Sequence, residues 1–185
     1  LKPDSSVIDV VYSAKVNKKT KLLLLMGPRL YAGEGSFGDK KDEALFSGLE
    51  YLGPEDRSSA NSALAPDAQM YFMPHPSKIT IPLMTIVRDK KMVGLMWDPN
   101  QKWNGKDSCP SALFASPNWI EDKPNHLMGL FLPSCPKYVP ENGLRAHEPY
   151  EMAEGETVTL SARIFAAKGD HVTDAVDLYL AQTGG

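Results

Sequence analysis

The sequence predicts an all-β protein, a two-sheet antiparallel β-sandwich with long loops and one short C-terminal helix. Apolar and polar residues alternate along several segments, with the period of a half-buried strand. Segments rich in Pro, Gly, Asn and Ser separate them, as turns and loops do. Apolar residues at helical spacing occur near the C-terminus. Strands with one apolar face need a second layer, so two packed sheets are expected.

Two segments alternate most regularly. In residues 7–16, every second residue from Ile8 through Val10, Tyr12 and Ala14 to Val16 is apolar or aromatic. In residues 157–166 the same holds from Val158 to Ala166. We expect both to be long strands that bury these faces.

Residues 79–87 and 92–97 are predicted to form a β-hairpin that turns through Asp89, Lys90 and Lys91. Pro82 lies within the first segment and has no N–H to donate, so it predicts an edge strand or a bulge there. Residues 21–26, 111–116 and 126–132 are the other predicted strands.

The C-terminal helix is predicted from the apolar residues Val172, Ala175, Val176, Tyr179 and Leu180, and Gly184 is its expected stop. The length of 185 residues and the 42% hydrophobic content suit a single domain over residues 1–185. The start at Leu1 favours a fragment of a larger multidomain protein.

The net charge and the lengths of the apolar runs each exclude one class of partner. A formal net charge of −3 gives no basic face for nucleic acid. No apolar run approaches the roughly 20 residues that cross a bilayer, so no membrane partner is expected.

Residues 33–38, Gly-Glu-Gly-Ser-Phe-Gly, match the phosphate-binding pattern GxGxxG. That pattern requires a following crossover helix, and residues 39–46 allow at most two turns before Gly48. The glycines therefore predict a tight loop between strands, and no nucleotide cofactor is expected.

Acidic residues crowd residues 34–56. Carboxylates on loops are the ligands that calcium prefers. The candidate ligands are Glu34, Asp42, Glu43, Glu50, Glu55 and Asp56. The alternative is a solvated loop surface, and paired carboxylates also serve acid–base chemistry on a glycosidic bond.

Tryptophans and amides surround the loop over residues 98–110. An aromatic ring with neighbouring amides suits sugars, which present apolar C–H faces and a rim of hydroxyls. Trp97 ends an apolar strand and is expected in the core, whereas Trp103 lies among polar residues and is expected at the surface. The candidate ligand-binding residues are Trp103, Trp119, Tyr51, Asn100, Gln101, Asn104 and His75.

The two cysteines, Cys109 and Cys135, leave two alternatives open. They either pair, closing a loop that would add about 3 kcal/mol of stability, or stay as separate thiols.

Five stretches together carry a family resemblance: residues 33–59, 75–84, 93–99, 112–118 and 126–133. They resemble β-sandwich regions of large secreted bacterial proteins with carbohydrate-active or carbohydrate-binding modules, of the galactose-mutarotase-like type. The resemblance implies a secreted or periplasmic protein, other domains of a parent protein and a polysaccharide or oligosaccharide partner. No His pair with a Glu matches the mutarotase catalytic set, which disfavours epimerase activity.

These observations predict a non-catalytic carbohydrate-binding module. The alternative is a catalytic or accessory sandwich of a glycoside hydrolase or polysaccharide lyase, to which Glu50, Glu55, Asp56 or His75 would contribute. A structural spacer domain is the third hypothesis.

Overall fold

A computed structural model describes residues 5–58, 74, 76–132 and 149–184. His75 and Cys135 lie outside the described residues, so the role of His75 and the pairing of Cys135 stay predictions. The strands are β1 (Ser5–Lys15), β2 (Thr20–Leu22), β3 (Leu25–Ala32), β4 (Glu43–Phe46), β5 (Glu50–Leu52), β6 (Leu83–Arg88), β7 (Lys91–Met96), β8 (Ser111–Ala115), β9 (His126–Leu132), β10 (Tyr150–Met152) and β11 (Thr157–Lys168). One α-helix, α1 (Thr173–Thr183), follows them.

The strands form two main antiparallel sheets and a short ribbon. The large sheet has the order β1-β11-β7-β6-β4-β5, the small sheet the order β3-β9-β8, and β2 pairs with β10. The main core lies between the two main sheets. Phe46 of the large sheet and Phe114 of the small sheet meet there, with ring centroids 5.5 Å apart. The predicted all-β sandwich with one C-terminal helix is confirmed.

Helix α1 covers the other face of the large sheet. Val172 and Ala175 pack against Met92, Met96 and Phe165 in a second apolar cluster. Gly184 ends the helix in the left-handed conformation, with φ of 90°, and its N–H donates to the Leu180 carbonyl. This is the predicted stop. Within the described residues, no helix has the length and apolar character needed to cross a membrane.

The predicted hairpin is confirmed, but the prediction for Pro82 is wrong. Asp89 and Lys90 form a two-residue turn with φ of 50° and 59°, the geometry of a primed hairpin turn. The strand before it begins at Leu83, and it lies inside the large sheet rather than at an edge. Pro82 precedes the strand, and its carbonyl accepts the Trp97 N–H at 3.1 Å. The missing N–H of Pro82 therefore removes nothing from the ladder.

Residues 21–26 do not form the single strand predicted. They are divided between β2 and β3, which belong to different sheets. Strands β4, β5 and β10 were not predicted. They are three or four residues long, too short for an alternating pattern to be recognised.

The loop formed by the GxGxxG residues is confirmed as a tight connection, between β3 and β4. The Gly33 carbonyl accepts the N–H groups of Ser36 and Gly38. A Cβ on Gly33 would lie 2.0 Å from the Gly38 carbonyl oxygen, so only glycine fits.

Strand β1 has the predicted alternation but lacks the predicted burial. Ile8 is 61% exposed and Tyr12 is 46% exposed. Both lie on the same face as the core residues of β11, opposite Ile164 and Leu160. The reason is position: β1 is the outermost strand of the six-stranded sheet, and it meets the small sheet at that sheet's edge strand β3, where Tyr12 lies against Gly27.

Candidate functional site

A cleft of about 690 Å³ opens at the point where β7 ends. Beyond Met96, strand β11 loses its ladder partner, since Arg163–Met96 is the last pair of the β7–β11 register. The chain turns away there, and the space is enclosed by four segments. The segments are residues 9–11 of β1, residues 96–100 after β7, residues 161–163 of β11, and Tyr179, Gln182 and Thr183 of α1.

The wall after β7 is held by a turn. The Asp98 carboxylate accepts the Asn100 N–H at 2.8 Å, an Asx turn that suits the sequence Asp-Pro-Asn. This turn places Asp98 and Asn100 at the rim of the cleft, and both are exposed. Asn100, a predicted ligand-binding residue, thus lines the cleft, and its role in binding stays a prediction.

Gln101 serves the structure rather than the cleft. Its amide nitrogen donates to the Ser161 carbonyl at 3.0 Å and to the Asp98 carbonyl at 2.9 Å. Its amide oxygen accepts the Ser161 N–H at 2.7 Å and the Ser161 hydroxyl at 3.2 Å. The side chain takes the place of a missing strand residue beside β11. All of its hydrogen-bonding capacity is used by protein atoms, so the Gln101 amide has none left for a ligand.

Trp103 is buried, and its expected surface position is wrong. The side chain is 4% exposed and belongs to the main core cluster. Its ring meets Tyr150 edge to face, with centroids 5.0 Å apart. The Trp103 carbonyl accepts the Thr159 N–H at 2.7 Å, which holds the loop against β11 and turns the indole inward.

Asn104 stabilises the same loop. Its amide oxygen accepts the N–H groups of Lys106 and Asp107, and its amide nitrogen donates to the carboxylate of Asp107 and the hydroxyl of Tyr150. All four hydrogen-bonding positions of the amide are occupied by protein atoms. Asn104 therefore leaves the ligand-binding set as well.

Arg163 connects the far walls of the cleft. Its Nε donates to the Asp9 carboxylate at 3.0 Å, and its Nη1 donates to the Gln182 carbonyl at 3.2 Å. The second contact places a cation at the C-terminal end of α1, where the last carbonyls lack helical partners. The guanidinium thereby fixes β1 and the helix end on either side of the opening.

Two other predicted ligand-binding residues lie away from the cleft. Trp119 is half-buried under the outer face of the small sheet. Its Nε1 donates to the Ser58 hydroxyl at 3.3 Å, and the Arg57 guanidinium lies 5.8 Å from its ring centroid. Tyr51 is exposed on β5, beside Glu43. Neither residue lines the space that Asn100 lines.

Glu43 joins Tyr51 to the start of α1. Its carboxylate accepts from His171 Nδ1 at 3.0 Å and from the Val172 N–H at 2.9 Å. Burial alone would raise the pKa of Glu43, but hydrogen bonds from His171, Val172 and Tyr51 outweigh it and lower that pKa. The same bond to Glu43 raises the pKa of His171. This arrangement ties the segment that precedes α1 to β4.

The six predicted calcium ligands are dispersed over the large sheet and its loops. Glu34 accepts a hydrogen bond from Asn125, Asp42 pairs with Arg88 at 2.6 Å, and Asp56 accepts the Gly53 N–H at 2.7 Å. Glu43 accepts the N–H of Val172 just before α1, Glu50 lies opposite Phe46, and Glu55 is exposed in the turn after β5. Among the described residues, no three Asp, Glu, His or Cys side chains are placed to hold a metal ion. Calcium binding stays a prediction that the geometry does not support.

A Ser–His pair lies in the interior. The Ser116 hydroxyl is 2.8 Å from His126 Nδ1, and both side chains are fully buried. The pKa of His126 is lowered to about 4, mainly by burial, so the imidazole is neutral at pH 7. A substrate has no access to a fully buried pair. Its role is to satisfy polar groups where β9 begins.

Several cleft residues were missed from the sequence: Asp9, Arg163, Tyr179 and Gln182. Asp9 and Arg163 lie on the polar face of long strands, where surface residues are expected. Tyr179 belongs to the apolar stripe that predicts the C-terminal helix, and a core position is expected for it. No local pattern brings these residues together, because the β1–β11 pairing and the return of α1 create the cleft.

In comparisons with known proteins, no family model, no curated protein and no solved structure matches this chain.

Proposed function

We propose that this domain is a non-catalytic carbohydrate-binding module that takes a segment of a polysaccharide in the cleft at the end of β7. The observation that supports the proposal is the composition of that cleft. Asp98, Asn100 and Gln182 line it together with the half-buried Tyr179, while Trp97 borders it from the core with only 5% of its surface exposed. A sugar ring needs hydrogen-bonding groups for its hydroxyls and an apolar or aromatic surface for its C–H faces.

The size and charge of the cleft narrow the ligand class. Its volume of about 690 Å³ falls among small-molecule sites, which span roughly 300–1,000 Å³. Two carboxylates, Asp9 and Asp98, line it, and the Arg163 guanidinium already pairs with Asp9. Acidic sugars would meet repulsion from Asp98. The proposed ligand is therefore a neutral glycan.

The experiment is isothermal titration calorimetry against a panel of neutral and acidic polysaccharides. We expect a neutral member to bind and Asn100→Ala to weaken binding by roughly 3- to 10-fold, the loss of one ligand hydrogen bond. Asn17→Ala is the matched control, since Asn17 is also exposed but does not line the cleft. If no polysaccharide binds, or if both variants bind equally well, the proposal is wrong.

One observation favours a second candidate, a glycoside hydrolase. Asp9 and Asp98 line the same cleft, and two carboxylates facing one bond are the catalytic set of most such enzymes. Release of reducing ends from a bound polysaccharide, abolished by Asp98→Asn, would select this function. Binding without release selects the first.

A further inference from the structure

Strand β1 leaves one edge of the large sheet open. Within the described residues it pairs only with β11, and their register runs without interruption from Ser5–Ala167 to Lys15–Thr157. An 11-residue edge strand without proline or bulge is a template for another strand. Its apolar side chains are also uncovered: Ile8 and Val11 are more than half exposed.

The direction of the backbone groups shows which residues can pair. The Val16 N–H donates to the Glu156 carbonyl, so the polar groups of Val16 point toward β11. Backbone groups of successive strand residues point alternately to the two edges. The odd-numbered residues of β1 therefore present their N–H and C=O groups to the open edge. They are Ser5, Val7, Asp9, Val11, Ser13 and Lys15.

The charges of β1 are complementary to β1 itself in one register. Its only charged residues are Asp9 and Lys15, and both are exposed, although the Asp9 carboxylate also pairs with Arg163 at 3.0 Å. When two copies pair antiparallel about a twofold axis at Tyr12, Asp9 of each lies opposite Lys15 of the other. With the twofold axis at Asp9 or at Lys15, that residue would face its own copy, so like charges would lie opposite each other. With the axis at Val11, neither Asp9 nor Lys15 would face a charged residue. The register about Tyr12 also places Val11 opposite Ser13 and Val10 opposite Ala14.

We propose that a second copy of this chain pairs with β1 in this register and extends the large sheets of the two copies into one. Four residue pairs then exchange two backbone hydrogen bonds each, all from odd-numbered residues. Two ion pairs form, each between Asp9 of one copy and Lys15 of the other. The Tyr12 side chains of the two copies meet at the axis. This inference needs no ligand and is tested without one, although Asp9 and Val11 also line the cleft.

Charge exchange tests the register. We expect sedimentation equilibrium of the native chain, from micromolar to millimolar concentration, to show a monomer–dimer equilibrium. Lys15→Asp places a carboxylate opposite Asp9 of the other copy at both ends of the interface. The repulsion should weaken dimerisation roughly tenfold or more. The double variant Asp9→Lys with Lys15→Asp should restore dimerisation in part, because it recovers the pairing across the interface but also removes the Asp9–Arg163 ion pair within each copy. Lys106→Asp, an exposed lysine on another loop, is the control and should dimerise like the native chain.

Cross-linking tests the axis. Even-numbered residues of β1, such as Tyr12, form non-hydrogen-bonded pairs in this register. Their Cα atoms lie about 4.5 Å apart, which is within the range of a disulfide. With Cys109 and Cys135 replaced by Ser, Tyr12→Cys should give a disulfide-linked dimer on oxidation. Ile8→Cys should not, because its opposite residue is Val16. A native chain that stays monomeric at millimolar concentration overturns the proposal, as does a dimer that is insensitive to Lys15→Asp.

Discussion

Trp103 shows at the scale of a single residue how a side chain in a polar segment enters the core. Its neighbours Lys102 and Asn104 face outward or bind the loop, but the main-chain bond from Thr159 to the Trp103 carbonyl turns the indole toward the interior. The ring then packs against Tyr150. Burial at this position is set by a contact 56 residues away along the chain, from residue 103 to residue 159.

We expect Trp103→Ala to lower the free energy of unfolding by about 3–5 kcal/mol, as a large aromatic truncation in a core does. Trp103→Phe should cost less. It keeps most of the ring, and it removes an indole N–H that has no hydrogen-bond partner among the described residues. Urea denaturation measures both. Lys102→Ala is the neighbouring control, expected within about 0.5 kcal/mol of the native chain. An equally small effect of Trp103→Ala would place the indole outside the core.

His126 ties stability to pH. Burial lowers its pKa to about 4, whereas an unfolded histidine titrates near 6.5. Between these values the unfolded chain binds a proton that the folded chain does not. Stability contributed by the neutral imidazole is therefore complete above about pH 6.5 and is lost as the pH falls toward 4.

We expect this single group to remove on the order of 3 kcal/mol of stability between pH 7 and pH 4. Urea denaturation at several pH values in that range gives the free energy of unfolding as a function of pH. This free energy should fall less steeply toward low pH in His126→Phe, because the other titrating groups are common to both chains. The comparison of slopes stays valid even if the variant is less stable overall. A native and a variant chain with the same pH dependence would show that His126 binds protons equally in the folded and unfolded chains, which would contradict its lowered pKa.

At the scale of elements, the loop after β7 acts as a substitute strand beside β11. The ladder ends at Arg163–Met96, then the Gln101 side chain bonds Ser161, and the Trp103 carbonyl bonds Thr159. These contacts follow every second residue of β11, the spacing of a ladder. The loop thus closes the sheet where β7 has left it, and it leaves the cleft between this loop and β1.

Gln101→Leu tests this role, since leucine fills the same space without hydrogen bonds. The Ser161 N–H would lose its acceptor at a cost of roughly 1–3 kcal/mol. Hydrogen exchange should be at least tenfold faster at the Ser161 amide, while the Thr159 amide, held by Trp103, keeps its protection. Equal exchange at Ser161 in both chains would mean that the side chain does not complete the ladder.

At the scale of the whole molecule, alternation of apolar and polar residues predicted the long strands and the hairpin, and apolar residues at helical spacing predicted the helix. Each of these patterns is local in the sequence. Alternation missed β4, β5 and β10, which are too short for a period, and it overestimated the burial of β1, which depends on how far the second sheet extends. Of the predicted ligand-binding residues that the structure describes, only Asn100 lines the cleft. Gln101, Trp103 and Asn104 belong to the right loop, but tertiary contacts assign them to its framework.

The cleft is likewise a property of the whole fold. It exists because β1 and β11 continue past the end of β7 and because α1 returns across the large sheet to place Tyr179 and Gln182 beside Arg163. The carbohydrate proposal depends on this meeting of three elements. A map of ligand contacts over the entire chain is its most direct test.

That map is a set of backbone amide NMR spectra recorded during titration with an oligosaccharide of the polysaccharide that binds most tightly. We expect the largest shifts at Asp98, Asn100, Ser161, Arg163 and Gln182, which surround the cleft. Shifts that cluster instead around Trp119 and Ser58, or an absence of shifts with every saccharide in the panel, would contradict the account.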